Sequence, residues 1–116
     1  MIVGVGLDVV EIERINKAYI KKPAFSQRVL TERELEIFNT LKGSRQVEFL
    51  AGRFSAKEAF SKALGTGIGK TTFLDIEILP DSRGKPVITL SPFEGNAWVS
   101  ISHTGTLAIA QVILEK

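Results

Sequence analysis

Between about Arg45 and Leu64 the chain places Val47, Leu50, Ala51, Phe54, Ala56, Ala59, Phe60 and Ala63 at helical spacing. These apolar residues cover more than one side of the helix they predict. Such a helix cannot lie on a surface, so other elements must enclose it. In a chain of 116 residues that demand claims most of the remaining sequence. It predicts a single domain, residues 1–116, built round one long buried helix. No repeat, low-complexity run or linker-like stretch interrupts the chain.

The segments on either side differ in period. Ile2 to Leu7 reads as a strand with Val3, Val5 and Leu7 on one face. Gly4 and Gly6 fall on the other face, where missing side chains admit another backbone or a ligand. Asp8 shares that bare face if the strand continues. From about Val9 the period becomes helical, with Ile12, Ile15 and Tyr19 on one stripe and Pro23 as the stop. Thr31 and Glu34 form a capping box opening a second helix through Leu35, Phe38 and Leu41, and Gly43 suits its left-handed closure. After Gly65-Thr66-Gly67-Ile68-Gly69, residues Leu74, Ile76 and Ile78 alternate with Asp75 and Glu77 as in a strand. A turn around Gly84 joins Pro80 to Pro86, and further strands are expected at Val87–Leu90, Ala97–Ser102 and Leu107–Leu114. Helices first and strands later make an α+β fold rather than alternating βαβ units.

Composition removes several classes of function. With no cysteine, the chain has no disulfide, thiolate nucleophile, iron–sulfur cluster or thiolate zinc site, and its one histidine excludes sites needing two. Fifteen basic against thirteen acidic residues leave a net charge of only +2, too little by itself to argue for nucleic acid. No segment has the ~18 uninterrupted apolar residues of a membrane span. The N-terminus does not read as a signal peptide, so a cytoplasmic location is the default expectation.

Polar chemistry on the long helix is the main functional signal. Glu58 and Lys62 are four residues apart and share a face, with Ser61 and Gly65 at the same end. They read either as an ion pair at the solvent edge or as charges held for a ligand, since buried charge needs a partner. Asp8 has two readings as well. Asp8-x-x-Glu11 resembles a capping box, yet a carboxylate beyond a glycine-bared strand face can also hold a hard cation. Magnesium is usually bound through one or two carboxylates, with water and phosphate oxygens completing the shell. Asp8 and Glu58 can supply that pair.

Other motifs are weaker. Gly69-Lys70-Thr71 looks like the end of a phosphate-binding loop, but Leu64 stands where its first glycine belongs, and this loop closes a helix instead of opening one. Gly4-x-Gly6 fails the dinucleotide fingerprint at Val9. The amides of Gly65 to Gly67 either cradle an anion or simply end the helix. Ser102 and His103 are adjacent on a strand and point to opposite faces, so they cannot act as nucleophile and base; His103 otherwise reads as a turn residue. Arg14, Lys17 and Lys21 form a basic stripe, with Lys22 and Arg28 beyond it. That stripe is a solvated face, or a dock for an acidic protein or phosphate backbone.

In this order the residues resemble the holo-(acyl-carrier-protein) synthases, the small-type 4'-phosphopantetheinyl transferase family. The likeness is carried by Val3-Gly4-Val5-Gly6-Leu7-Asp8-Val9-Val10-Glu11 with Arg14 and by Arg53-Phe54-Ser55-Ala56-Lys57-Glu58-Ala59-Phe60-Ser61-Lys62-Ala63-Leu64-Gly65-Thr66-Gly67. Val99-Ser100-Ile101-Ser102-His103-Thr104, followed by Ala108-x-Ala110, completes it. Ser55, where the family often has alanine, is a departure expected to touch no polar site position.

The resemblance implies a mostly antiparallel sheet packed on a long buried helix, and a homotrimer with sites between subunits. It implies transfer of 4'-phosphopantetheine from coenzyme A to a serine of apo acyl carrier protein, with Mg2+ as cofactor, in fatty acid biosynthesis. The other product is adenosine 3',5'-bisphosphate. It places Asp8 and Glu58 on the metal and Lys62 beside the pyrophosphate, and makes all three catalytic. It places His103, with Thr104, near the nucleotide end of coenzyme A, and Gly65, Thr66 and Gly67 near its phosphates. Arg53, Ser61, Lys85 and Pro86 are further contacts for that ligand. Carrier proteins are acidic, so Arg14, Lys21 and Arg28, with Phe25 as apolar anchor, are the expected dock. Neither nucleic acid nor membrane is an expected partner. A basic nucleic-acid-binding module and a magnesium-dependent nucleotide hydrolase are the rival readings. The first leaves Asp8, Glu58 and Lys62 without a joint purpose, and the second predicts nucleotide or phosphate release without carrier protein.

Overall fold

The alternation at the N-terminus runs further than Leu7. In the computed structural model, which describes residues 1–67 and 71–116, β1 (Ile2–Glu11) continues through Asp8 before α1 (Ile12–Lys21) begins. Asp8 is therefore a mid-strand residue on the face of Gly4 and Gly6, not a helix cap. Glu11 occupies the N-cap position and makes no side-chain cap bond. Beyond Pro23 comes α2 (Phe25–Val29), a helix too short to show a stripe in the sequence.

The capping box at Thr31 is present and opens α3 (Glu32–Phe38): Thr31 Oγ1 accepts from the Glu34 amide, and Glu34 Oε1 accepts from the Thr31 amide. That helix stops earlier than expected, where the Gln46 side chain donates to the Phe38 carbonyl at 3.0 Å. Gly43 consequently does not close it. With φ +61 it turns the chain into the long helix, α4 (Ser44–Leu64).

The strand expected from Leu74 also begins later. Phe73–Asp75 form a 3-10 turn in which the Asp75 carboxylate accepts from the Thr72 amide at 2.9 Å. This local bond overrides the alternating pattern. β2 (Glu77–Pro80) then pairs antiparallel with β3 (Pro86–Leu90) across a turn where Gly84 has φ +86. β4 (Asn96–His103) and β5 (Leu107–Glu115) complete the main sheet, whose order is β1-β5-β4 with antiparallel neighbours throughout. Ile68, Gly69 and Lys70, and with them the rejected phosphate-loop ending, lie outside the described residues.

The two glycines of β1 explain how α4 reaches the sheet. A Cβ on Gly4 would overlap the Ala63 carbonyl, and one on Gly6 the Ala59 carbonyl. The bare strand face thus admits a helix backbone, one of the two occupants the sequence allows. One end of α4 packs Ala56, Ala59, Phe60 and Ala63 against Ile76, Ile78, Val112 and Leu114. The other end packs Leu50 and Ala51 against Val10, Ile15, Val29, Leu30 and Phe38. This is the expected α+β architecture with a buried central helix. The opposite face of the sheet is uncovered: Val3, Val5, Leu7 and Val9 are 50–56% exposed and Trp98 is 52% exposed.

Candidate active site

Asp8 and α4 meet because β1 lies directly beneath the helix. Register pairs Asp8 with Ala110, and Ala110 with Ile101 of β4. The side chain of Asp8 projects to the helix side, where both of its carboxylate oxygens find donors. Lys62 Nζ donates to Oδ1 at 3.0 Å and to the Leu7 carbonyl at 3.1 Å. Ser55 Oγ lies 3.1 Å from Oδ2 and 3.0 Å from the Asp8 carbonyl oxygen. Lys62 therefore bridges from helix to strand and does not take Glu58, one turn away, as its ion-pair partner. Ser55 touches a polar site position after all, a contact that only the strand-to-helix register reveals.

Glu58 completes the cluster. Burial raises its carboxyl above the ordinary 4.5, and the Asp8 charge raises it further, while Lys62 and Arg14 act in the opposite sense. The two carboxylates thus share one electrostatic neighbourhood, and the charge of Arg14 on the basic helix acts on Glu58 within the same chain. Among the described residues, no group of three or more His, Asp or Glu side chains could cage a metal. The donor set is a carboxylate pair beside a cation. It fits a hard divalent ion that shares its shell with water and phosphate oxygens, which is how magnesium is usually held.

The remaining ligand candidates divide into two groups. Ser61 is buried and donates to the Glu58 carbonyl at 2.7 Å, so its hydroxyl is committed to its own helix. Gly65, at φ +87, closes α4, and the amides of Gly65 and Gly67 both donate to the Ser61 carbonyl. Those two N–H groups end a helix here and are not presented to an anion. Thr66 Oγ1 stays local, 3.3 Å from the Gly67 carbonyl.

The second group lies on the other flank of α4. Arg53 Nε donates to the Ile78 carbonyl at 3.2 Å, and its guanidinium lies 4.2 Å over the Phe49 ring. Burial pulls Arg53 down to about 10, partly opposed by Glu34. Arg53 lines a groove of about 350 Å³ together with Arg45, Phe49, Gly84 and His103. His103 is exposed at the end of β4, with Nδ1 3.8 Å from Glu48 Oε2, a neighbour the sequence did not suggest. Thr104 Oγ1 accepts from the amides of Thr106 and Leu107, fixing the hairpin turn. Lys85 donates its amide to Asp81 Oδ1, and with Pro86 it borders a smaller 70 Å³ pocket beside Trp98.

Arg14, Lys21 and Arg28 are exposed on α1 and α2, as a docking face requires. Phe25 is half-buried: its ring lies 6.0 Å from Phe54, which stacks on Phe73 at 5.2 Å. Phe54 stands one helical turn before Glu58 on α4.

Comparison with known proteins identifies the family and supports the fold. A family model described as the 4'-phosphopantetheinyl transferase superfamily matches residues 4–112. The holo-[acyl-carrier-protein] synthase of Streptococcus uberis is 56% identical over all of this chain and 98% of its own length. That of Streptococcus suis is 58% identical over the same shares. Among solved structures, a holo-(acyl-carrier-protein) synthase from Bacillus anthracis in complex with CoA (3',5'-ADP) matches with TM-score 0.93 at 53% identity. The match covers 99% of this chain and 97% of that one. The Neisseria meningitidis enzyme matches with TM-score 0.90 at 38% identity over the whole of both chains. Matched by the family model over residues 4–112 and similar over its full length to these enzymes, the chain belongs to the 4'-phosphopantetheinyl transferase superfamily.

Proposed function

We propose that this protein transfers the 4'-phosphopantetheine group of coenzyme A to a serine of apo acyl carrier protein, releasing adenosine 3',5'-bisphosphate. The observation that carries the reading is the Asp8–Glu58 carboxylate pair with Lys62 beside it, in a chain similar over its full length to holo-[acyl-carrier-protein] synthases. The carrier serine attacks the β-phosphorus of the pyrophosphate. The bond to the bridging oxygen breaks, and that oxygen leaves with the nucleotide. Charge builds on the phosphate oxygens, so catalysis is mainly positioning and electrostatic stabilisation.

Asp8 and Glu58 would hold Mg2+, which when bound supplies positive charge to the pyrophosphate. Lys62 is half-exposed and held, among the described residues, only by Asp8 Oδ1 and the Leu7 carbonyl, so its ammonium can move to the phosphates. Glu58, or a water held beside it, is the acceptor offered for the serine proton. The test is the intact mass of an apo acyl carrier protein after incubation with this protein, coenzyme A and magnesium. A phosphopantetheine-sized gain that disappears with chelator supports the reading; no gain on several carrier proteins sinks it.

The active form in this reading is a homotrimer. Asp8, Glu58 and Lys62 open on the β1 flank of α4, whereas Arg53, His103 and Lys85 open towards β3 and β4. One nucleotide served by both groups therefore needs two copies of the chain. The uncovered apolar face of β1 and Trp98 supports association too, since exposed patches of this kind usually mark interfaces. Sedimentation should give three protomers, and Val5→Lys should yield monomers that no longer bind coenzyme A.

Carrier docking is assigned to the basic face. Arg14 acts on Glu58, so charge reversal there would confuse docking with chemistry. Lys21→Glu with Arg28→Glu is the cleaner pair. It should raise KM for the carrier protein at least about tenfold, with coenzyme A affinity unchanged. Weakened coenzyme A binding would show that this face serves the other ligand.

A further inference from the structure

Ser55 is fully buried inside α4, where a serine hydroxyl ordinarily turns back to a carbonyl of its own helix. Its Oγ instead reaches β1, 3.0 Å from the Asp8 carbonyl oxygen and 3.1 Å from Asp8 Oδ2. With one proton to give, Ser55 donates to one of these oxygens at a time, and both belong to Asp8. Oδ1 is engaged by Lys62 at 3.0 Å. The two partners differ in kind: Ser55 is a short, immobile neutral donor, whereas Lys62 is a long ammonium whose side chain is 53% exposed.

From this asymmetry we infer that Ser55 is a positioning residue for Asp8, holding Oδ2 so that Oδ1 faces the cation site. The inference rests on the magnesium reading above. When a cation and phosphates arrive, Lys62 can leave Oδ1 for the phosphates while Ser55 keeps the carboxylate in place. Without the hydroxyl, the carboxylate rotates freely and follows Lys62 with either oxygen. A cation must then separate an ion pair that readjusts against it. Partners behind a ligating carboxylate typically change metal affinity ~10–100-fold, and a single neutral hydroxyl belongs at the low end, about tenfold.

The test is direct. Mn2+ binding to the whole protein with saturating coenzyme A is followed by electron paramagnetic resonance in wild type, Ser55→Ala and Asp8→Asn. Coenzyme A affinity is measured separately in chelator by calorimetry. Ser55→Ala should weaken Mn2+ about tenfold and leave metal-free coenzyme A affinity as in wild type. Mn2+ affinity within twofold of wild type in Ser55→Ala, with Asp8→Asn defective, would overturn the role and reduce the hydroxyl to packing. An equal fall in metal-free coenzyme A affinity would overturn it as well, because the hydroxyl would then be shaping the helix at large. Wild type that binds no Mn2+, or Asp8→Asn that binds as tightly, would remove the carboxylate-pair reading itself and this inference with it.

Discussion

Glu58→Gln is expected to lower phosphopantetheine transfer at least about a thousandfold, while making the metal-free protein more resistant to unfolding at neutral pH. The first effect follows from losing one of the two carboxylates proposed to hold the cation, which is also the proposed acceptor of the serine proton. A thousandfold corresponds to ~4 kcal/mol of barrier, the several kcal/mol that a metal's charge stabilisation supplies. The second effect follows from electrostatics. Burial and Asp8 hold the Glu58 carboxyl above its ordinary 4.5 in the folded chain. The folded state therefore binds this proton more tightly than the unfolded state, and ionised Glu58 costs stability above the raised value. Glutamine removes that cost. Its stabilising effect should be full above the raised value and shrink as pH falls, vanishing below about 4.5 where both states hold the proton. Denaturant unfolding with chelator at a series of pH values measures this, beside transfer kinetics. Wild-type turnover would remove Glu58 from the site. A variant less stable at pH 7 would instead show that its carboxylate stabilises the empty fold.

Opposite effects on activity and stability also explain what could be read in advance. Glu58 and Lys62 stood out in the sequence because charge on an otherwise apolar helix is anomalous, and Asp8 because its parity matched Gly4 and Gly6. Such signals are local or periodic, as is the Thr31–Glu34 capping box, and the structure contains each of them. Contacts between distant segments were not legible. Lys62 pairs with Asp8, 54 residues away, because β1 lies closer to its ammonium than the next helical turn does. Ser55 looked like a neutral replacement for alanine until the strand placed a carboxylate against it. The strand expected at Leu74 failed for the converse reason: a three-residue capping interaction at Thr72 and Asp75 outcompeted period-two alternation. Glu34 shows both sides, since its cap was visible while the second charge it binds was not.

That second charge is Lys57, and Lys57→Met should destabilise the fold by about 3–5 kcal/mol, the usual cost of removing one partner from a buried ion pair. Both side chains are fully buried. Lys57 Nζ donates to Glu34 Oε1 at 2.6 Å and to the Val29 carbonyl at 2.6 Å, so one ammonium joins the end of α2, the start of α3 and the middle of α4. Burial lowers its pKa, and Glu34 is the main influence opposing that shift. In the variant the Glu34 carboxylate keeps the amides of Thr31 and Ile78 but loses its hydrogen-bonded counter-charge, leaving only the more distant Arg53, and the Val29 carbonyl loses a donor. Glu34→Gln added to Lys57→Met removes the stranded charge yet retains an acceptor for one amide, so the double variant should be more stable than Lys57→Met alone. Because domains hold only ~5–15 kcal/mol in all, the single variant should unfold at much lower denaturant. Both variants must be compared at one protomer concentration, since association would add to apparent stability. A Lys57→Met midpoint equal to wild type would mean that Glu34 is content with its backbone donors alone. The turn carrying Glu58 would then owe its position to apolar packing, and the buried lysine beside it would be dispensable to the fold.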